Sequence, residues 1–234
     1  MILDFKFMVD TFILALKGIP TTLALTFGTL LVSTPLGFLI AVVNRNKVPG
    51  LSSITRLYIS FVRGTPVILL IFLIYNSLPN LLNKLFNACD FINIDIYSVN
   101  NIFYAFIIFI LTETAILAEV FRSALSTVSK GQLEAAWSVG LTSFQAYRRI
   151  IIPQALVSAM PVLCSTTTDL IKMTSLAFTM TVLDITAIAK IQAAMQLSYI
   201  EAYLDIFLLY LIIITVVEKL FKLVENRLKK YKIA

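Results

Sequence analysis

Long uncharged runs alternate with short charged segments along this chain. Residues 18–43 hold 26 positions without one charge. That is enough for a helix to cross a ~30 Å hydrocarbon core with room to tilt. Pro35 and Gly37 fall inside the run as candidate kink positions. A second uncharged run covers 64–83, with its helix expected to start near Leu57. A third covers 96–112 and continues through Glu113 towards Phe121. A fourth covers 150–168 and runs on to about Ser175. The last, 206–217, is lengthened by amphipathic ends to 199–221. The pattern predicts an all-α membrane protein with five transmembrane helices, and residues 173–183 read as a re-entrant or interfacial stretch. Residues 1–17 carry Asp4 and Asp10 and show no small-residue cleavage site. They read as an interfacial amphipathic segment rather than a signal peptide. The membrane domain is then 18–228, with a long loop at 123–153 and a basic tail at 229–234.

Loop charges orient these spans. The first loop carries Arg45, Lys47 and Arg56 for +3, and the second sets Lys84 against Asp90 and Asp95 for −1. The third sets Arg122, Lys130, Arg148 and Arg149 against Glu134 for +3, and the fourth balances Asp184 with Lys190. The tail from Glu218 has a charge of +4. Basic loops stay on the cytoplasmic side, so the N-terminus is expected outside and the C-terminus inside.

Composition narrows the chemistry. The chain is 59% hydrophobic and 14% charged, against about 25% charged for a soluble domain. Histidine is absent, which removes a Ser-His-Asp triad, a His-ligated zinc and a His-held haem. Cys89 and Cys164 are far apart and form no C-x-x-C pair, and no phosphate-binding G-x-x-x-x-G-K-[ST] run occurs. No metal site is expected. The net charge of +6 fits bases gathered at cytoplasmic span ends and does not call for nucleic acid.

The third loop is long for a membrane loop. It is helical in composition around 132–139; Gly140 can stop that helix and Ser143 can cap a second. A helix–Gly–helix elbow makes a knob with small residues, Ala135 and Ala136, for close approach and one charge, Glu134. Trp137, the single tryptophan, is expected to pack inside it.

Here the sequence resembles the permease subunits of ABC importers. Their motif is E-A-A, three residues, G, nine residues, I, one residue, L-P. Glu134-Ala135-Ala136, Gly140, Ile150 and Ile152-Pro153 match it at every spacing, with Ile152 in place of Leu. A narrower resemblance is to permeases for polar amino acids: histidine, glutamine, arginine, glutamate and cystine. It rests on Gly18-Ile19-Pro20-Thr21-Thr22, on Arg63-Gly64-Thr65-Pro66, and on Glu119 and Arg122 followed by Gly131-Gln132. Pro153-Gln154-Ala155 and Lys172-Met173-Thr174-Ser175-Leu176 complete it. Ile116 and Met173 depart from the usual Tyr and Asp or Asn, and both bear on which amino acid passes.

The resemblance implies that the elbow, with Gly131, Glu134, Ala135, Ala136, Gly140 and Pro153, is the coupling helix region that docks on an ATPase. It implies as partners an ATP-binding cassette subunit dimer, a second permease subunit (identical or homologous) and an extracytoplasmic substrate-binding protein. The chain itself would be non-catalytic and bind no cofactor, with ATP and Mg held by the ATPase. It would sit, multi-pass, in a bacterial cytoplasmic membrane. A secondary transporter or channel is the alternative, though neither needs such an elbow. A Ser175–Lys172 dyad is the one obvious route to an enzyme in a chain without histidine.

Several polar residues lie at membrane depth. Glu113 falls in the third span, where a carboxylate costs about 2.5–3.5 kcal/mol on insertion scales. It reads either as a substrate-path residue or as a structural pair. Asp169 and Lys172, at i, i+3 in the fourth span, stand among Thr168, Ser175 and other hydroxyls and read either as a polar, pathway-lining face or as a pair that neutralises itself and holds the span. An ammonium and a carboxylate on a free amino acid need an acid and a base, which Glu113 or Asp169 and Lys172 can supply. Glu119 and Arg122 share a helix face and predict a salt bridge. Arg63-Gly64-Thr65-Pro66 reads either as a break just inside the second span or as a helix start with Pro at its first position.

Overall fold

The computed structural model describes residues 3–88 and 96–228. Cys89, the acids Asp90 and Asp95 of the second loop, and the 229–234 tail lie outside the described residues. Among the described residues the regular structure is entirely helical. Helix α1 (Phe5–Ala15) starts at Asp4, whose carboxylate accepts the Phe7 N–H at 3.0 Å. A 3-10 turn, Leu16–Gly18, leads into α2 (Ile19–Arg45), which stays helical through Pro35. Then come α3 (Leu51–Gly64), α4 (Val67–Ala88) and α5 (Asn101–Ser126). Helices α6 (Lys130–Ser138) and α7 (Ser143–Ala146) form the elbow, and a π turn, Tyr147–Ile151, feeds α8 (Ile152–Thr174). A 3-10 stretch, Ser175–Met180, precedes α9 (Ile185–Gln196) and α10 (Tyr199–Leu228). Among the described residues, five stretches are long and apolar enough to cross a membrane: Phe5–Arg45, Val67–Phe86, Asn101–Ser126, Ser143–Met180 and Tyr199–Leu228.

Helix α5 is the most buried of these and packs most extensively on α2. Lipid tails are as apolar as leucine, so spans associate through close packing rather than hydrophobic drive. The sequence of α2 supplies that closeness: its buried face is Thr22, Thr26, Thr29, Ser33, Gly37 and Ala41. A Cβ on Gly37 would lie 2.9 Å from Leu117 Cβ and 3.1 Å from the Ala118 nitrogen. Nearer the start of α2, a Cβ on Gly28 would come 2.4 Å from the Phe106 ring. At the far end the Arg45 guanidinium donates to the Leu125 carbonyl. The three contacts keep a nearly constant sequence offset, so α2 and α5 run side by side in the same direction.

Four local expectations are corrected. The second span does not reach back to Leu57: that residue lies in α3, a separate amphipathic helix that buries Ser52, Ile59 and Val62. The chain is extended at Thr65 (φ −108°, ψ 133°) and restarts after Pro66, whose carbonyl accepts the Leu69 and Leu70 N–H groups. The break therefore precedes the second span, because the residue before a proline avoids the helical region. The third span starts at Asn101, capped by Asn100, and Ile96–Ser98 is a separate 3-10 turn. Thr142, not Ser143, caps α7, in a reciprocal box with Gln145.

The fourth correction concerns Asp184 and Lys190, which do not lie in an open loop. Both belong to α9 and its cap, since Asp184 begins that helix by accepting the Ala187 N–H at 2.8 Å. Its other oxygen accepts from the Tyr210 hydroxyl at 3.2 Å. Burial pushes the Asp184 carboxyl above the usual carboxylate range, opposed by these hydrogen bonds. Ile185, Ala189 and Ala193 of α9 pack with Ala202 and Leu209 of α10 and with Phe7 and Ala15 of α1. The expected lead-in at 1–17 is thus a packed helix over most of its length.

The corner of this packing is Gly18. A Cβ there would meet the Ile185 nitrogen at 2.4 Å and the Asp184 carbonyl carbon at 2.5 Å, both backbone atoms. Gly18→Ala is expected to lower stability by about 1–3 kcal/mol, the usual cost of forcing atoms into a filled site. Gly64→Ala, with nothing within 4 Å, is expected to leave stability unchanged. Thermal unfolding of the two detergent-purified variants beside the parent checks both; an unshifted Gly18→Ala midpoint would contradict the packing.

Candidate functional site

Helix α8 carries the polar face. Asp169 and Lys172 form an ion pair of 3.0 Å across one turn, and both side chains are exposed. Thr168, one position away, is buried and its hydroxyl donates to the Ser165 carbonyl at 2.9 Å. Lys172 and Ser175 open onto a cleft of about 410 Å³ where α8 ends. The opposite wall comes from Thr186 and Lys190 of α9 and from Tyr203 and Tyr210 of α10. Lys190 Nζ stands 3.8 Å above the Phe178 ring, which holds that ammonium at the cleft wall. The cleft thus presents two ammonium groups, several hydroxyls and an aromatic ring, with the Asp169 carboxylate bonded to one of its lysines. Such an arrangement can receive a carboxylate and, beside it, a positive group.

Glu113 stands elsewhere. It is 1% exposed, and its Oε1 has no hydrogen-bond partner among the described residues. The constant α2–α5 offset sets it level with Ser33, and the hydroxyls of Thr29, Ser33 and Thr114 are likewise buried without partners. The structure therefore places Lys172 and Ser175 at the cleft, with Asp169 joined to it only through its bond to Lys172, and leaves Thr168 and Glu113 buried away from it.

A second cluster ties α3 to α5. Glu119 accepts from Arg122 Nη2 at 2.7 Å and lies 3.9 Å from Arg63 Nη1. One carboxylate so holds two guanidiniums, directly before the Gly64-Thr65-Pro66 break.

The elbow presents Glu134, Ala135 and Gly131 to solvent and buries Ala136. Gly140 has φ +81°, a left-handed conformation that favours glycine. Its N–H bonds the Trp137 carbonyl at 2.9 Å, and the Leu141 N–H bonds the Ala136 carbonyl at 3.0 Å. These two bonds close the end of α6 as a Schellman motif. Trp137 is not packed within the elbow: it is 50% exposed, alongside exposed Val139 and Phe144. Pro153 stands in the first turn of α8, where a missing N–H is tolerated.

Sequence reasoning missed Thr186 and Lys190, because α9 is too short and too rich in alanine to give an apolar run, and Tyr203 and Tyr210, because an apolar run does not say which face of α10 meets the cleft. The available signal was an Asp cap at 184 followed by twelve residues of helix.

Residues 33–230 match the family of binding-protein-dependent transport system inner membrane components. The chain belongs to that family, and is a permease subunit rather than an enzyme. It is 37% identical to the probable amino-acid permease protein YxeN of Bacillus subtilis (strain 168), covering 97% of each. It is 32% identical to the L-cystine transport system permease protein TcyL of the same organism, covering 95% of this chain and 91% of the relative. Among solved structures, an amino acid ABC transporter crystallised with histidines superimposes with a TM-score of 0.80 and 29% identity. That match covers 97% of this chain and all of the other. The MetNI methionine ABC transporter in its inward-facing form shares the fold, with a TM-score of 0.67 at 18% identity.

Gly140 gives the testable consequence. Gly140→Ala meets no neighbouring atom, so its cost is backbone strain alone, about 1–2 kcal/mol, confined to the elbow. The expected outcome is an unchanged unfolding midpoint with faster proteolysis between α6 and α7. An unchanged cleavage rate would contradict the left-handed cap.

Proposed function

We propose that this chain is the membrane-spanning subunit of an ATP-driven importer for a polar amino acid in a bacterial cytoplasmic membrane. The cleft carries the reading. A free amino acid bears a carboxylate and an ammonium group, and Lys172 and Lys190 offer cations for the first while Asp169 offers an anion for the second. Charged groups on a span normally face a bundle interior or water, and the exposed α8 face needs such a surrounding. A second copy or a homologue across that face would supply it. Glu113 and Thr168 support the pathway from behind, Glu113 in the α2–α5 seam. Full-length likeness to amino-acid permeases supports this reading over a secondary transporter or channel.

In this reading the elbow docks on a partner ATPase, and its dimer, with ATP and Mg, supplies the energy. Exposed Glu134, Trp137 and Val139 form the contact by helix-in-groove recognition. The elbow faces the cytoplasm, in accord with the +3 charge of its loop, so the N-terminus lies outside and the C-terminus inside. A binding protein delivers substrate at the opposite side. The Arg63–Glu119–Arg122 cluster, set at the Gly64-Thr65-Pro66 break, lets α3 move with α5 as the spans rock.

Two variants test the halves of this proposal separately. Lys172→Gln is expected to raise the KM for amino-acid uptake about tenfold, the loss of one charge-assisted contact, with basal ATPase activity intact. An unchanged KM would remove the cleft as the substrate site. Glu134→Lys is expected to leave insertion and abundance intact while ATP hydrolysis no longer drives uptake. Normal transport by that variant would show that the elbow does not couple. Both are read in proteoliposomes holding the complete transporter.

A further inference from the structure

A trough runs beside the elbow, distinct from the substrate cleft. It has a volume of about 400 Å³ and lies between the last turns of α2 and the α7–α8 entry. Its α2 wall is Phe38, Val42 and Asn46, spaced i, i+4, i+8 on one helix face. The facing wall includes Phe144, Tyr147 and Ile152. The polar groups collect at one end: the Asn46 amide, the Ser143 hydroxyl and the Arg148 guanidinium. Arg148 is exposed and takes part in none of the ion pairs among the described residues.

The trough continues as a narrow apolar slot of about 50 Å³ that shares Phe38 and Ile152 with it. Ala155 and Ala159 of α8 and Phe121 and Leu125 of α5 wall that slot. Phe38 stands edge-on to Phe121, with ring centroids 5.8 Å apart. Eleven helical residues separate Arg148 from Ala159, about 16 Å of rise. Half of a hydrocarbon core is about 15 Å. A base and an amide beside an apolar trough, with apolar lining residues following over that length of α8, match a phospholipid better than a water-soluble anion. No carboxylate lines either cavity among the described residues, so an anionic headgroup meets no repulsion there.

We propose that this trough is a binding site for an anionic phospholipid. The phosphate of its headgroup is held by Arg148 with Asn46 and Ser143, and one acyl chain lies along Phe38, Val42 and Ile152 towards Ala159. Basic pockets between spans at the cytoplasmic side are suited to anionic headgroups, and negative lipids of that leaflet supply them. Bound there, the lipid would brace α2 against the base of the elbow. The proposal rests on the chain being a membrane permease with the elbow at a membrane surface, and not on the nature of its substrate.

Native mass spectrometry of the detergent-purified chain, titrated with phosphatidylglycerol or phosphatidylcholine of matched acyl chains, tests it without any transport measurement. Phosphatidylglycerol is expected to be retained about fivefold more tightly, the worth of one base against an anionic lipid. Arg148→Gln should bring it down to the phosphatidylcholine level, and Arg149→Gln, next to the trough but not lining it, should leave it unchanged. Val42→Trp, which fills the trough, should weaken both lipids. Equal retention of the two lipids by the parent, or equal losses in the two arginine variants, would overturn the site. So would full displacement by glycerol phosphate, which would mean a soluble-anion site. Failure of substrate uptake would bear on the transport reading and leave these outcomes as they are.

Discussion

The glycine-width contact between α2 and α5 is the constraint on which the rest of this structure depends. In lipid, two spans gain little from being apolar, so they must touch closely or carry polar groups between them. Helix α2 does both, with Gly37 pressed on Leu117 and Ala118 and a buried line of Thr22, Thr26, Thr29 and Ser33. Once α5 is fixed on α2, it holds α3 through the Arg63–Glu119 pair and α8 through a core that Leu170 shares with Ile108 and Phe109. The ends of α8 are then set. One end feeds the elbow, and the other opens the cleft with its two lysines.

A second packed layer completes the cleft. Helix α9 is held by its Asp184 cap, by the Tyr210 hydroxyl from α10 and by the close approach of Gly18. Lys190 reaches the cleft only because α9 is locked in this way. The stability of a short helix and the position of the Lys190 ammonium are therefore one problem. Buried Asp184 is satisfied on both oxygens, as a carboxylate at that burial must be. Buried Glu113 is not: its Oε1 has no hydrogen-bond partner among the described residues.

Much of this was legible in the sequence. Uncharged runs located the five spans, because a bilayer demands about twenty apolar residues in a row. The spacing from Glu134 through Gly140 to Pro153 located the elbow, and Gly140 ends α6 by a positive φ that a sequence reader can anticipate. The Asp169–Lys172 and Glu119–Arg122 pairs followed from helical periodicity alone. What stayed hidden came from tertiary packing. Helices α1 and α9 are short, and their burial depends on one another and on α10. Leu57 sits in a run that reads as membrane span, yet Thr65-Pro66 closes the helix before it. The exposure of Asp169 and burial of Glu113 turn on which face of α8 and α5 meets α2, which periodicity cannot assign without the neighbouring helices.

The lysine-lined cleft and the exposed elbow belong to one machine only if nucleotide energy reaches the cleft through this chain. The most direct test is uptake of a mixture of labelled amino acids by proteoliposomes that contain this chain and the ATPase that co-purifies with it, compared with and without enclosed or external ATP and Mg. Accumulation of one polar amino acid above its equilibrium level, only with nucleotide on the elbow side, is the predicted result. Co-purification of no ATPase, or equal uptake without nucleotide, would contradict it.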